Sequence, residues 1–217
     1  MISDHDRSGW FGASDTKYIM GNWKTKTFQN WWMTKLGIST SHMTSVAMNA
    51  GTYYERAILD AIGSPRKDHQ IIIPEYRLRV NLDGDGIGRV DEVKTYKHER
   101  GFKVSKAYRQ QVQVQMFAKL WEEGKTPVAK IWAYGLLPED YKNFFNPIDR
   151  ERLKDYPIEI DHLFITRYLY RILYLKECLE KGVMPDEKAY SMREDSGVYE
   201  KIRLNYTARS VCGDWVC

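Results

Sequence analysis

The chain has 217 residues, of which 43% are hydrophobic and 29% charged, with a formal net charge of +4. This composition is typical of one folded domain and excludes a largely disordered chain. No apolar run approaches the roughly 20 residues that cross a bilayer, and residues 1–7 contain no apolar leader segment. We therefore expect one cytoplasmic domain over 1–217 without a membrane partner. Its motifs would lie in a core of about 7–135, followed by a helical region of about 136–217.

Hydrophobic periodicity and helix-ending glycines predict the helices of the chain. They are expected over residues 14–21, 26–36, 45–62, 106–121 and 161–181. Ser14 is the expected N-cap of the first helix, because its side chain can accept a hydrogen bond from a free N–H of the first turn.

Strands are predicted between these helices. Apolar and polar residues alternate from Tyr76 to Asp83, as in a half-buried strand. A glycine-rich turn over 84–88 and a strand over 89–96 follow, so that 76–96 is expected to form a hairpin. Another strand is expected over 127–135. Strands interleaved with helices predict an α/β fold in which helices flank a mixed central β-sheet.

The hairpin carries the most informative residues. Alternation places Glu92 and Lys94 on one face of its second strand, and folding of the hairpin can bring Asp83 beside them. Carboxylates suit Mg²⁺, which keeps several waters, and one of these waters can attack phosphorus. A neighbouring lysine can orient or deprotonate that water, or stabilise charge on a phosphate. The alternative is a solvated acidic turn, and Asp85 and Asp91 are alternatives to Asp83.

The neighbouring helices offer further polar groups. Glu55 shares an apolar stripe with Ile58, where a buried carboxylate is costly without a partner such as a metal ion. Tyr108, Gln111 and Gln115 form a polar strip on the helix over 106–121, from which Tyr108 and Gln111 can point toward the hairpin. An exposed position or a salt bridge is the alternative for Glu55, and a solvated face is the alternative for the strip.

These motifs occur in the order found in lambda exonuclease and YqaJ-like phage recombination nucleases, and the chain resembles that family. The similar segments are Arg7–Asp15 (RSGWFGASD), Gly51–Glu55 (GTYYE), Asp83–Gly84, Glu92–Lys94 (EVK) and Tyr108–Gln113 (YRQQVQ). Leu82 stands where the family often has a proline before the aspartate. The resemblance covers roughly residues 7–121 and implies the restriction-endonuclease-like core of the PD-(D/E)xK superfamily.

The resemblance also implies a reaction and the residues that carry it. The expected activity is that of a Mg²⁺-dependent exonuclease, with Mn²⁺ able to substitute, that digests linear double-stranded DNA 5′ to 3′ in phage-type recombination. The metal ligands would be Asp83, Glu92, the main-chain carbonyl of Val93, and Glu55 directly or through water. The catalytic residues would be Asp83, Glu92, Lys94, which activates the attacking water, and Tyr108 and Gln111, which position the reacting groups. Arg7 and Ser14 would bind the terminal 5′-phosphate, although an exposed arginine and a simple N-cap are the alternatives.

Family context also implies partners and leaves other functions open. A single-strand annealing protein and a trimer of the chain are implied by the resemblance alone. The alternatives are a RecB-like nuclease of another branch, acting inside strands or on single strands, and a non-catalytic DNA-binding module. The ending from Cys212 to Cys217 resembles those of nucleases with an iron–sulfur cluster. Such a cluster needs four cysteine ligands and the chain has 3, including Cys178 within a predicted helix, so a cluster is not expected.

Overall fold

The computed structural model describes residues 8–39 and 46–194. Its helices are α1 (Thr16–Ile19), α2 (Lys26–Lys35), α3 (Val46–Ala61), α4 (Lys106–Glu123), α5 (His162–Glu180) and α6 (Glu187–Glu194). Its strands are β1 (Arg66–Ile73), β2 (Leu78–Gly86), β3 (Arg89–Lys97), β4 (Val128–Leu136) and β5 (Leu153–Ile158). Arg7, Cys212 and Cys217, for which the sequence analysis makes predictions, lie outside the described residues.

The strands form a five-stranded sheet whose spatial order follows the chain from β1 to β5. Neighbouring strands are antiparallel except for β3 and β4, which are parallel. Parallel neighbours need a long crossover, and α4 lies in the connection between these two strands. The α/β fold with a mixed sheet flanked by helices is therefore confirmed.

The sheet has an apolar cluster on each face. On one face, α3 covers Val93, Tyr134 and Leu136. On the other face, α4 and α5 pack against Leu82 and Val90. Burial of these apolar side chains provides the main driving force for folding, and it positions α3 and α4 on opposite sides of the central hairpin.

The strands β1 and β5 are not predicted by the sequence pattern. They are the two edge strands of the sheet. β1 begins with the charged run Arg66-Lys67-Asp68, and β5 contains Pro157. Charged residues and proline are tolerated at sheet edges because one row of backbone groups faces solvent, so these strands lack a clean alternation. The region after residue 136, expected to be helical, therefore also contains a strand.

Two expected boundaries were wrong. Ser14 is not a helix N-cap, because the Asp15 carboxylate accepts from the Gly12 N–H at 2.8 Å and a short 3-10 turn, Ala13–Asp15, begins before Ser14. Residues 84–86 are not part of the turn, because β2 continues through Gly86 and only Ile87 and Gly88 connect it to β3. Among residues 8–39 and 46–194, no helix combines the length and the hydrophobicity of a membrane-spanning segment.

Candidate active site

The strands β2 and β3 separate shortly after the hairpin turn. Their pairing covers Gly86 with Arg89, Asp85 with Val90, and Gly84 with Asp91. Beyond that point, a carboxylate oxygen of Asp83 accepts a hydrogen bond from the Val93 N–H at 2.8 Å. A side chain thus replaces the ladder bond, and a gap opens between the two strands at Asp83 and Glu92.

The alternation of β2 breaks at the same place. Leu82 belongs to the apolar core beneath α4, and Asp85, three residues later, also contacts Lys119 of α4. In the β1–β2 pair the register is unchanged, but the ladder is interrupted at Asp68 and Asp83, the two residues that would oppose each other, and the Asp68 backbone is left-handed with φ +55°. Irregularities of this kind redirect side chains and are frequent beside active sites. Here the irregularity falls on Asp83.

Close helix packing brings Glu55 to the gap. A Cβ atom on Gly84 would collide with Leu59 of α3 and with Ser64, so glycine is required where α3 crosses β2. A Cβ atom on Gly51 would come within 3.3 Å of the Thr95 hydroxyl oxygen. The absence of side chains at both positions lets α3 approach the hairpin closely enough for Glu55 to reach the gap.

Glu92 lies at the centre of the site and is fully buried. One of its oxygens, Oε1, accepts from the Lys94 ammonium and from Gln111 Nε2, the latter at 2.5 Å. The other oxygen, Oε2, accepts from Gln115 Nε2 at 2.5 Å. The structure therefore brings together Glu92, Lys94 and Gln111, as the sequence analysis expects.

Tyr108 lies against the lysine. The Lys94 ammonium stands 5.3 Å from the centre of the Tyr108 ring, close enough for a cation–π interaction. The Tyr108 ring also stacks with Phe102, at 6.1 Å between ring centroids and an interplanar angle of 5°. The first turn of α4 is capped by Ser105, whose hydroxyl accepts from the Tyr108 N–H at 3.2 Å. Tyr108 is thus placed to restrict the movement of Lys94.

The acidic groups around the gap repel one another. Burial and the nearby carboxylates of Glu92 and Glu55 raise the pKa of Asp83 well above its ordinary value. Burial and the carboxylates of Glu92 and Asp68 raise the pKa of Glu55 to about 7. Burial alone would lower the pKa of Lys94, but the charges of Glu92 and Asp83 outweigh it and raise that pKa, so Lys94 is a cation at neutral pH.

This set of residues suits a divalent cation. Asp83, Glu92 and Glu55 offer carboxylate oxygens, and Val93 offers a main-chain carbonyl oxygen. Mg²⁺ and Mn²⁺ prefer oxygen ligands of both kinds. Their mutual repulsion is a cost that a bound cation would relieve. The side-chain oxygen of Gln115, next to Glu92, is also buried without a hydrogen-bond partner in residues 8–39 and 46–194. The donor chemistry and this acceptor both fit a hydrated metal ion.

The neighbouring aspartates have other partners. Asp91 is buried and accepts from Ser64 at 3.0 Å and from the Trp132 indole at 2.8 Å, and Arg89 lies 2.7 Å away. Asp91 thus has its own donors and its own cation. Asp83, in contrast, lies near Glu92 and Lys94.

A second group of acids and a histidine lies near the turn end of the sheet. Ligand atoms of His69, Asp85 and Glu122 lie within 4.8 Å of one another, the spacing of a metal site. However, both ring nitrogens of His69 already face these carboxylates at 3.1 Å, and Lys119 lies 2.6 Å from Asp85. Arg66 adds a further hydrogen bond to Asp85 at 2.8 Å. Because Lys119 and Arg66 already pair with Asp85, and His69 bridges Asp85 and Glu122, we interpret the group as a polar and ion-pair network that joins β1, β2 and α4.

Ser14, expected to bind phosphate, lies on the short 3-10 turn Ala13–Asp15, which packs against α4 and β2. It is exposed on the 3-10 turn that follows Phe11, and Phe11 forms a parallel bridge with Leu78 at the start of β2. Asp15 of the same segment has a structural role: its carboxylate is buried, lies 2.7 Å from the Lys35 ammonium, and accepts a hydrogen bond from the Trp31 indole at 2.9 Å. Arg7, the other expected phosphate ligand, lies outside the described residues.

Sequence reasoning assigned no role to two residues of the site. Gln115 was expected only on a polar strip, although its spacing of one helical turn from Gln111 could have indicated a shared partner. Asp68 lies on an edge strand that the pattern does not predict, so its proximity to Glu55 had no sequence signal.

No family model and no curated protein matches the chain. Solved structures of exonucleases do match. LHK-Exo from Laribacter hongkongensis, in complex with dAMP, is 20% identical over 88% of this chain and 96% of its own, with a TM-score of 0.60. A second structure of this alkaline exonuclease is 19% identical over 88% of this chain and 96% of its own, with a TM-score of 0.59. A phage related exonuclease from Haemophilus somnus 129PT is 16% identical over 79% of this chain and 94% of its own, with a TM-score of 0.54.

The chain has the fold of these exonucleases. The likeness to exonucleases that the sequence motifs indicate is therefore confirmed at the level of the fold. At these identities the exonuclease fold does not assign roles to individual residues, so those roles rest on the geometry of the gap.

Proposed function

We propose that this protein is a metal-dependent deoxyribonuclease that digests linear double-stranded DNA from its ends. The observation that carries the proposal is the convergence of Asp83, Glu92 and Lys94 in the gap between β2 and β3, within an exonuclease fold. Catalytic residues would be these three with Tyr108 and Gln111. Mg²⁺ is the proposed cofactor, with Mn²⁺ able to substitute, because the available ligands are oxygens.

The residues of the gap divide the work of phosphodiester hydrolysis. A divalent cation held by Asp83, Glu92, the Val93 carbonyl and Glu55 would supply positive charge beside the phosphate and lower the pKa of water. Lys94, which carries its own positive charge, can donate hydrogen bonds to the attacking water or to a phosphate oxygen. Its raised pKa favours this donor role over that of a general base.

Polar contacts preorganise these groups. Gln111 holds Glu92 Oε1 at 2.5 Å, and the Tyr108 ring lies 5.3 Å from the Lys94 ammonium. Groups held in place before the substrate binds need no reorganisation during the reaction, which is a large source of catalysis.

The finer features of the activity come from the family resemblance. We propose 5′-to-3′ digestion, in phage-type recombination, with Arg7 and Ser14 binding the terminal 5′-phosphate. A single-strand annealing protein and a trimeric assembly are the corresponding partners. The exposed position of Ser14 is compatible with contact to a DNA end.

The test compares linear duplex DNA bearing 5′-phosphate ends, the same DNA with 5′-hydroxyl ends, and a closed circle, each with Mg²⁺. We expect rapid loss of the phosphorylated linear DNA and no loss of the circle. Lys94→Ala should abolish the activity. Lys130→Ala is the matched control. Lys130 of β4 pairs with Asp155 of β5 at 2.7 Å, so its replacement should leave the rate unchanged.

Each unexpected result has a defined meaning. Cutting of the circle, or equal digestion of both kinds of end, would favour a RecB-like nuclease of another branch. Full activity of Lys94→Ala would remove the proposed active site. DNA binding without hydrolysis under all metal conditions would indicate a binding module on the same fold.

A further inference from the structure

Gln115 of α4 contacts both strands that border the gap. Its side chain is fully buried. The amide nitrogen donates to Glu92 Oε2 at 2.5 Å and to the main-chain oxygen of Asn81 at 3.3 Å. Asn81 belongs to β2 and Glu92 to β3, so one amide group spans the two strands where their own pairing has ended.

These contacts determine the orientation of the amide. A glutamine nitrogen has two donor hydrogens, whereas a carboxylate and a main-chain carbonyl can only accept. A flipped amide would place its oxygen against two other oxygens, so the contacts to Glu92 and Asn81 select a single assignment. Gln115 Oε1 is then the remaining atom, and it is buried without a hydrogen-bond partner in the described part of the chain. A buried acceptor without a donor lowers the stability of the fold. We therefore expect a donor to reach Oε1 in the active protein.

The donors around Glu92 also leave one position open. An ionised carboxylate has about four lone-pair sites. Lys94 and Gln111 both donate to Oε1, whereas Oε2 accepts from Gln115. Within residues 8–39 and 46–194, Oε2 therefore keeps capacity for one more partner, and the hydrogen bond from Gln115 orients that oxygen.

We propose that Gln115 is a positioning residue, which holds Glu92 in the orientation that binds the divalent cation and uses its own Oε1 to accept a hydrogen bond from the cation's hydration water. This inference rests on the proposed function, because that function places the cation at Glu92. Mg²⁺ keeps several waters when it binds protein carboxylates, so it brings the donor that Oε1 needs. Groups that orient metal ligands in this way typically contribute a factor of about 10 to 100 in metal affinity or activity.

The same helix provides a matched control. Gln113 is buried like Gln115, but its amide donates to the Glu159 carbonyl at 2.7 Å and accepts from the Asp161 N–H at 2.7 Å. Asp161 is the N-cap of α5. Gln113 is therefore a structural residue that fixes the start of α5, and it makes no contact with Glu92 in the described residues.

The experiment is a Mg²⁺ titration followed by the unfolding temperature of the full-length chain, with wild type, Gln115→Met, Gln113→Met and Glu92→Gln in parallel. In Gln115→Met we expect the midpoint of Mg²⁺ stabilisation to move to a roughly tenfold higher concentration. Gln113→Met should unfold at a lower temperature with an unchanged midpoint. Glu92→Gln should lose the Mg²⁺ response. High Mg²⁺ should restore DNA digestion by Gln115→Met, but not by Lys94→Ala.

The results separate this inference from the proposed function. A wild-type midpoint in Gln115→Met, with Glu92→Gln unresponsive, would overturn the role of Gln115 and leave the metal site standing. An unchanged Mg²⁺ response in Glu92→Gln would instead overturn the metal site on which the proposed function depends. If Gln115→Met does not fold, Gln115→Asn keeps the amide but shortens its reach by one methylene. It must then show the same displaced midpoint, and a wild-type midpoint rejects the inference.

Discussion

The Asp83 carboxylate accepts a hydrogen bond from the Val93 N–H at 2.8 Å, just beyond the last paired residues of β2 and β3. This bond keeps the diverging strands connected while it holds the carboxylate beside Glu92. Asp83 therefore combines a structural contact, which needs only an acceptor oxygen, with a proposed metal contact, which needs the negative charge.

Asp83→Asn should separate these two contributions. The amide oxygen can still accept from Val93, so the metal-free protein should keep its stability, and relief of repulsion with Glu92 and Glu55 could raise it. DNA digestion should fall at least about 100-fold, equivalent to about 2.7 kcal/mol of transition-state stabilisation. Rates of DNA digestion and urea denaturation curves provide the two readouts.

Asp91→Asn is the matched control for Asp83. Asp91 is buried among Ser64, Arg89 and Trp132, so its replacement should lower stability while the Mg²⁺ dependence of digestion stays unchanged. The assignment of Asp83 is wrong if Asp83→Asn digests DNA normally and Asp91→Asn loses the Mg²⁺ response.

Stabilisation by Mg²⁺ should increase with pH because of Glu55. The fold raises the pKa of this acid from 4.5 to about 7, so the folded state binds the proton more tightly than the unfolded chain. In metal-free protein, the stability associated with protonated Glu55 is present at low pH and is lost as pH rises through about 7. Mg²⁺ requires the ionised carboxylate, so a fixed Mg²⁺ concentration should raise the unfolding temperature more at about pH 8 than at about pH 6.

Glu55→Gln tests the origin of that pH dependence. Without an ionisable group at this position, the difference in Mg²⁺ stabilisation between about pH 8 and about pH 6 should shrink. The metal-free protein should also no longer lose this part of its stability as pH rises from 4.5 to about 7. A pH dependence identical to that of the wild type would show that another group is responsible.

The network around Asp85 should support stability rather than catalysis. Asp85 and Lys119 are both fully buried and lie 2.6 Å apart, so Asp85→Asn leaves a buried ammonium with fewer partners. Loss of a buried ion pair costs about 3–5 kcal/mol, and we expect the lower part of this range because Glu123 still lies 2.6 Å from Lys119. Urea denaturation measures the loss, and an unchanged midpoint would contradict the buried-pair interpretation.

The same network should weaken the fold in acid. Burial alone would raise the pKa of Asp85, but hydrogen bonds from Arg66 and Lys119 outweigh it and lower the pKa below its ordinary 3.8. The stabilisation is therefore present above the unfolded-state value and is lost as pH falls through the lower folded-state value. Acid titration of unfolding should show a smaller loss below about pH 4 for Asp85→Asn than for the wild type.

Gly84→Ala should disturb the contact between α3 and β2. The added methyl would collide with Leu59 and Ser64, and overpacking of this kind costs typically about 1–3 kcal/mol. The resulting shift of α3 would also displace Glu55, so DNA digestion should fall together with stability. Gly86→Ala is the graded control, because its Cβ would approach Pro65 only to 3.2 Å. Equal effects of the two substitutions in denaturation would contradict this account.

Local pattern predicted much of the fold because the relevant forces are local or periodic. The helices over 106–121 and 161–181 closely match α4 (Lys106–Glu123) and α5 (His162–Glu180), since apolar periodicity and caps act within a few residues. The edge strands β1 and β5 were missed because a half-solvated edge accepts charged residues and proline. Ser14 was misplaced because a side-chain contact of Asp15 starts the turn earlier.

The α/β order and the placement of Glu92 and Lys94 on one face of a strand follow from local sequence, because two-residue alternation is a property of the backbone. The choice of Asp83 over Asp85 or Asp91 as their neighbour depends on long-range packing. The three aspartates are chemically identical, and they differ in their neighbours: Asp85 meets Arg66 and Lys119, Asp91 meets Arg89 and Trp132, and Asp83 meets other acids. Arg89 and Glu92 belong to the hairpin itself, but Arg66, Lys119, Trp132 and Glu55 come from β1, α4, β4 and α3. These elements reach the hairpin only when the sheet and its helices assemble, so no local pattern encodes their contacts.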